Sequence, residues 1–123
     1  MIIVIDGITI KPYVRMTQKG KWSSPQAQEY MASKTELELR YRECMAKYGD
    51  EMLPGQTPLW VFVSVTVPQK QGHRADLDNI IKACLDAGNG VLYPDDRWVD
   101  WIDARREIGE PKLKMLLGLI GGG

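Results

Sequence analysis

Leu59-Trp60-Val61-Phe62-Val63-Ser64-Val65-Thr66-Val67 decides how this chain folds. Valines at 61, 63, 65 and 67 alternate with Trp60, Phe62, Ser64 and Thr66, a period of two rich in β-branched residues, which predicts a strand. Apolar residues on both of its faces predict a central place in the sheet. Upstream, Met1–Ile5 is a short β-type run closed by the Asp6-Gly7 turn signal. Between the two, Ser24-Pro25 predicts a helix start, with serine as N-cap and proline at the first helical position. Met31, Leu37, Tyr41, Cys44 and Tyr48 fall on one helical stripe and Gly49 is the expected stop, so this helix covers about residues 25–48. Downstream, a second helix is expected over about Asp78–Ala87, with Ile80, Ile81, Cys84 and Leu85 facing inward, broken by Gly88-Asn89-Gly90. Trp98–Arg106 reads as a strand and Gly109-Glu110-Pro111 as a turn. Lys112–Ile120 is the candidate partner of that strand in a hairpin. The expected class is α+β: one domain over residues 1–120, a mixed β-sheet with two main helices in the order β-α-β-α-β-β, then a flexible glycine tail at 121–123.

The 123 residues are 44% hydrophobic and 26% charged, which excludes a disordered, collagen-like or low-complexity chain. Sixteen Lys+Arg balance sixteen Asp+Glu, so any nucleic-acid contact must come from local clustering of charge. Cys44 and Cys84 read as free thiols of a reducing compartment, and a single histidine, His73, cannot fill a Cys₂His₂ zinc set. The N-terminal MIIVIDGITIK lacks the basic stretch and long apolar core of a secretory signal, and no apolar run approaches the ~20 residues of a membrane span. The expectation is a soluble, cytoplasmic protein with no membrane partner.

The chemistry-bearing stretch is Asp76-Leu77-Asp78-Asn79-Ile80-Ile81-Lys82, followed by Asp95-Asp96. In extended chain Asp76 and Asp78 project to one side, and Lys82 lies one turn into the following helix over the same face. A helix-and-loop excursion that returned Asp95 and Asp96 beside its own start would converge carboxylates and a lysine at one helix end. Hard cations such as Mg²⁺ take carboxylate oxygens and polarise phosphoryl oxygens, and a lysine balances charge on the transition state, which is the chemistry of phosphodiester hydrolysis. The same residues also serve plain structure: Asp78 as an N-cap, Lys82 as an i±4 partner of Asp78 or Asp86, Asp95-Asp96 as a turn after Pro94. Spacing alone does not separate the two readings. The EF-hand pattern fails, no phosphate-binding glycine loop is present, and His73 has no marked nucleophile beside it.

The run Asp76-Leu77-Asp78-Asn79-Ile80-Ile81-Lys82-Ala83, then Leu85-Asp86-Ala87, Asn89-Gly90-Val91, Asp95-Asp96 and Val99, resembles the RusA family of Holliday junction resolvases, small endonucleases of phage and prophage type. Pro12, Arg15, Thr17, Gly20 and the Ser24–Tyr30 helix start follow the family order more loosely. The resemblance implies a metal-dependent homodimer, using Mg²⁺ or Mn²⁺ and no small-molecule cofactor, that cuts four-way DNA junctions by paired, symmetric incisions. It implies Asp76, Asp78 and Asp96 as the essential carboxylates that hold the metal, Lys82 as the essential lysine, and Asp95 as a further candidate ligand. Two positions depart from the family. Ala75 stands where a basic residue or proline is frequent, and Gly88 where leucine is common, which predicts a weaker helix end.

Residues 7–28 carry Lys11, Arg15, Lys19 and Lys21 and no acid; with Lys70 and Arg74 they are the candidate phosphate-binding residues, against the alternative of a merely solvated loop. Tyr13 and Trp22 are candidates for stacking on exposed bases or for rim packing. Met45, Trp98, Trp101 and the Leu116–Ile120 segment are apolar candidates for a dimer interface. The alternative function is a non-catalytic branched-DNA-binding protein, a degraded prophage resolvase; retention of Asp76, Asp78, Lys82 and Asp96 together argues against it. A third reading, a structural protein with only cap and turn acids, predicts no DNA binding.

Overall fold

The fold is built around β2 (Leu59–Val67). In a computed structural model, which describes residues 1–14, 24–68 and 75–121, β3 (Val99–Ile108) pairs parallel with one side of β2. β4 (Lys112–Leu119) pairs antiparallel with the other side and also with β1 (Ile2–Asp6), so the strand order is β1-β4-β2-β3. The sheet is mixed and the chain order is β-α-β-α-β-β, as the sequence predicts.

The expected hairpin of the last two strands does not form. After the turn at Gly109, whose N–H donates to the Val67 carbonyl at 2.9 Å, the chain passes to the far side of β2. Burial explains the choice. Leu113, Met115 and Leu117 of β4 are at most 1% exposed and fill the space between Ile3 and Ile5 on one side and Val61, Val63 and Val65 on the other. β3, with Asp100, Asp103, Arg105 and Glu107 exposed, has no fully buried residue and takes the edge, where charge discourages further pairing.

Both helices cover one face of the sheet. α1 (Pro25–Tyr48) is capped by Ser24, whose Oγ accepts from the Ala27 N–H at 3.4 Å, and closes at Gly49 with φ of 68°. Its buried face is Ala27, Tyr30, Ser33, Leu37 and Tyr41, so Met31 and Cys44 sit at the margin of the predicted stripe and Tyr48 is exposed. Two tyrosines tie α1 to α2 (Leu77–Gly88): the Tyr41 hydroxyl donates to the Cys84 carbonyl at 2.9 Å, and the Tyr30 hydroxyl donates to the Asp86 carboxylate. Cys44 and Cys84 are free, and burial pushes the Cys84 thiol up to about 12, so it is an inert core residue. No helix among the described residues is long and apolar enough to cross a membrane.

The end of α2 closes tightly around Gly88. Its carbonyl accepts from the N–H groups of Val91, Leu92 and Tyr93, and a Cβ there would stand 2.6 Å from the Tyr93 hydroxyl oxygen. The buried Tyr93 ring occupies the space of a larger side chain, and its hydroxyl donates to the Leu85 carbonyl at 2.6 Å. Gly88→Ala should therefore destabilise the fold by about 1–3 kcal/mol through overpacking. The urea midpoint measures this, and an unchanged midpoint would show that Tyr93 yields without cost.

Candidate active site

α2 separates the acidic residues into two groups. At its start, Asp76 is the N-cap residue in extended conformation, yet its carboxylate makes no capping hydrogen bond. Its main-chain carbonyl takes the Ile80 N–H at 3.2 Å. Asp78 lies inside the first turn and accepts from the Asn79 N–H at 3.0 Å. It is thus not the N-cap, and its negative charge faces the positive end of the helix dipole. Lys82 Nζ lies 4.6 Å from the centroid of the Tyr13 ring, and the Tyr13 N–H donates to the Asn79 carbonyl at 3.1 Å. The chain before α1 is thereby pinned across the first turn of α2. No carboxylate among the described residues comes within ion-pair distance of Lys82, so the i±4 pairing with Asp78 or Asp86 is not made.

At the other end of α2, Asp86 pairs with Lys34 at 3.4 Å besides accepting from Tyr30. Asn89 Oδ1 accepts the Asp96 N–H at 2.7 Å and fixes the 3-10 turn Asp96–Trp98 that leads into β3. Asp95 caps this turn, accepting from the Arg97 N–H at 2.9 Å. Partial burial, with the negative charges of Asp95 and Asp86 adding to it, raises the Asp96 carboxyl above the usual carboxylate range, against a lowering hydrogen bond with Asn89.

The expected convergence at one helix end is therefore corrected within a single chain. Eleven residues of helix rise separate Asp78 from Asn89, about 16 Å along the axis. Among the described residues no three His, Cys, Asp or Glu side chains stand together to hold a metal ion. The described carboxylates of one protomer do not by themselves assemble a site for the ion that the acidic motif implies. The reason is topological: β2 and β3 are parallel, so the intervening helix must run back along the sheet and deliver Asp96 to the opposite end.

Of the proposed phosphate-binding residues, Lys11 is exposed and faces Glu29 at 4.0 Å. Arg15, Lys19, Lys21, Lys70 and Arg74 lie outside the described residues, as do Trp22 and His73. Trp101 is 55% exposed, whereas Met45 and Trp98 pack partly on the core and Leu117 is buried. Sequence reading missed the clasp of Tyr30 and Lys34 on Asp86; their i, i+4 spacing on α1 was the available signal.

No curated protein matches the chain. A family model described as Endodeoxyribonuclease RusA matches residues 9–116, a span that includes both ends of α2 and all of the motif residues. The chain belongs to the RusA endodeoxyribonuclease family.

Proposed function

We propose that the protein is a Mg²⁺-dependent, structure-selective endodeoxyribonuclease that resolves four-way DNA junctions by paired, symmetric phosphodiester hydrolysis, acting as a homodimer. The family match across Asp76, Asp78, Lys82 and Asp96 is the observation that carries this reading. An aromatic face holds Lys82 and no carboxylate among the described residues pairs with it, which leaves its ammonium group available to a phosphate.

Two copies supply what one lacks. Between α2 and β3 lies a groove of about 450 Å³, lined by Leu77, Ile81, Leu85, Ile102 and Ala104, with Asp78 and Lys82 also on its wall. Ile102 is 47% exposed there, an apolar residue without cover. A two-fold axis across the middle of α2 would pair the helix antiparallel with its copy. Each Asp76-Asp78 pair then meets the partner subunit's Asp96, and two equivalent sites arise, as paired incision requires. Asp76 and Asp78 of one protomer and Asp96 of the partner subunit would hold the ion; Asp95, occupied with its cap, is the less suited ligand. The bound ion supplies polarisation of the phosphoryl oxygen and an activated water.

The test uses a labelled four-way junction and a linear duplex of matching sequence, with and without Mg²⁺ or Mn²⁺. Paired, metal-dependent nicks near the branch point, absent on the duplex, support the proposal. Junction binding without cutting in any metal would favour the non-catalytic alternative. The basic segment has its own test. Lys19→Ala combined with Lys21→Ala should weaken junction binding and reduce the slope of log K against log salt by up to about 2. An unchanged slope would remove both lysines from the DNA surface.

A further inference from the structure

The helices cover only one face of the sheet, and the other carries a chain of aromatic rings. Trp60 and Phe62 of β2 have ring centroids 5.0 Å apart, and Phe62 meets Trp101 of β3 edge-on at 5.8 Å. Trp101 is 55% exposed and Phe62 36%. Trp60 lies across Gly118 of β4: a Cβ at Gly118 would stand 2.5 Å from Trp60 Cζ2 and 2.9 Å from Nε1. The missing side chain lets the indole rest against the strand, with its other side turned away from the sheet. Beside Phe62 a cavity of about 440 Å³ is lined by Ser64, Asp103, Arg105, Lys114 and Leu116. Arg105 pairs with Glu107 at 3.3 Å, while Lys114 has no carboxylate within ion-pair distance among the described residues.

We propose that this helix-free face is a stacking platform for unpaired DNA bases, with Trp60, Phe62 and Trp101 as the rings and Lys114 as the phosphate contact. Every base has a π-face, so such a platform takes any sequence, whereas Ser64 and Asp103 offer acceptors to base amino groups. Lys114 favours DNA over a second copy of the chain. By register the face also carries Lys112, Arg105, Asp6, Asp103 and Glu107, with Lys112 beside Asp6 at 3.9 Å and Arg105 beside Glu107. Among the described residues of the face Lys114 is thus the cation left for a phosphate, and burying it against a copy would cost its hydration. The platform is also near the chemistry. Asp96 leads directly into β3, and the five residues to Trp101 span at most about 18 Å. A base leaving the stack at the branch point would thus rest here while its strand passes the Asp96 end of the sheet. The proposal rests on DNA as the substrate but not on cleavage.

The test is carried out in EDTA, by fluorescence anisotropy with labelled oligothymidylate and with a four-way junction. Trp101→Ala sits on an exposed edge strand and should keep the fold, checked by circular dichroism. It should weaken oligothymidylate binding about tenfold, with the salt slope unchanged because stacking releases no counterions. Trp101→Phe should restore most of the affinity, and Gly118→Ala should mimic the loss by lifting Trp60 off the strand. Undiminished affinity in Trp101→Ala, or no binding of oligothymidylate by the wild-type protein at low salt, overturns the platform. Dissociation of the homodimer by Trp101→Ala would assign the face to subunit pairing and overturn it too. Stacking that survives in a protein unable to cut any junction would sink the resolvase reading alone.

Discussion

The Asp76→Asn protein is expected to lose junction cleavage by at least about a hundredfold, while binding the junction in EDTA as tightly as the wild type. The two outcomes separate because the Asp76 carboxylate makes no capping bond, and the helix start is held by the main-chain carbonyl, which asparagine retains. The loss of one negative charge from the positive end of α2 costs about 0.3–1 kcal/mol of stability, too little to unfold the domain. Removing an acid beside a polyanion does not weaken electrostatic binding, and it relieves repulsion. Multiple-turnover cleavage with Mg²⁺, anisotropy in EDTA and a urea melt on the same preparation give the three readings. A mutant that loses binding and fold together would show that Asp76 is a structural cap.

The elements of this fold were legible where one residue type answered to one local force. The valine alternation at 61, 63, 65 and 67 defines β2, and Ser24-Pro25 with Gly49 bounds α1 at the observed Pro25–Tyr48. Sheet order was not legible, because neighbours in sequence are the default neighbours in space, and that default predicts a hairpin of the last two strands. What decides against it is a comparison between strands. Leu113, Met115 and Leu117 demand cover on both edges, and the charged run Asp103-Ala104-Arg105-Arg106-Glu107 does not.

The misplaced hairpin also hid the shape of the site. A motif read along the chain groups Asp76, Asp78, Lys82 and Asp96 as one set without saying where the chain re-enters the sheet. Once β3 is parallel to β2, the crossover helix has to span the sheet, and the two acidic groups have to part. Asp86 belongs to the same motif, yet Tyr30 and Lys34 of α1 hold it. These contacts secure the end of α2 from which Asn89 holds the Asp96 N–H.

If each site draws on two protomers, two inactive proteins should restore one another. Asp76→Asn and Asp96→Asn are each expected to be inactive as homodimers. When they are mixed, denatured and refolded together, about half of the dimers contain one chain of each kind. In such a dimer one site joins the intact Asp76 and Asp78 of the Asp96→Asn chain to the intact Asp96 of its partner. The other site carries both lesions. Nicking of one strand per junction should therefore return, to about a quarter of the wild-type sites, while paired incision within a single binding event should not. Sites contained within one chain predict the opposite, because every site in the mixture then holds one lesion and no cleavage appears. A chain carrying both substitutions, mixed with wild type, adds the complementary reading. In a shared arrangement each mixed dimer has one lesion in each site and is dead, whereas sites confined to single chains leave the wild-type one active. The outcome turns on the direction of α2, whose length keeps Asp78 and Asp96 apart in one molecule and, in an antiparallel pair, brings each to the other's partner.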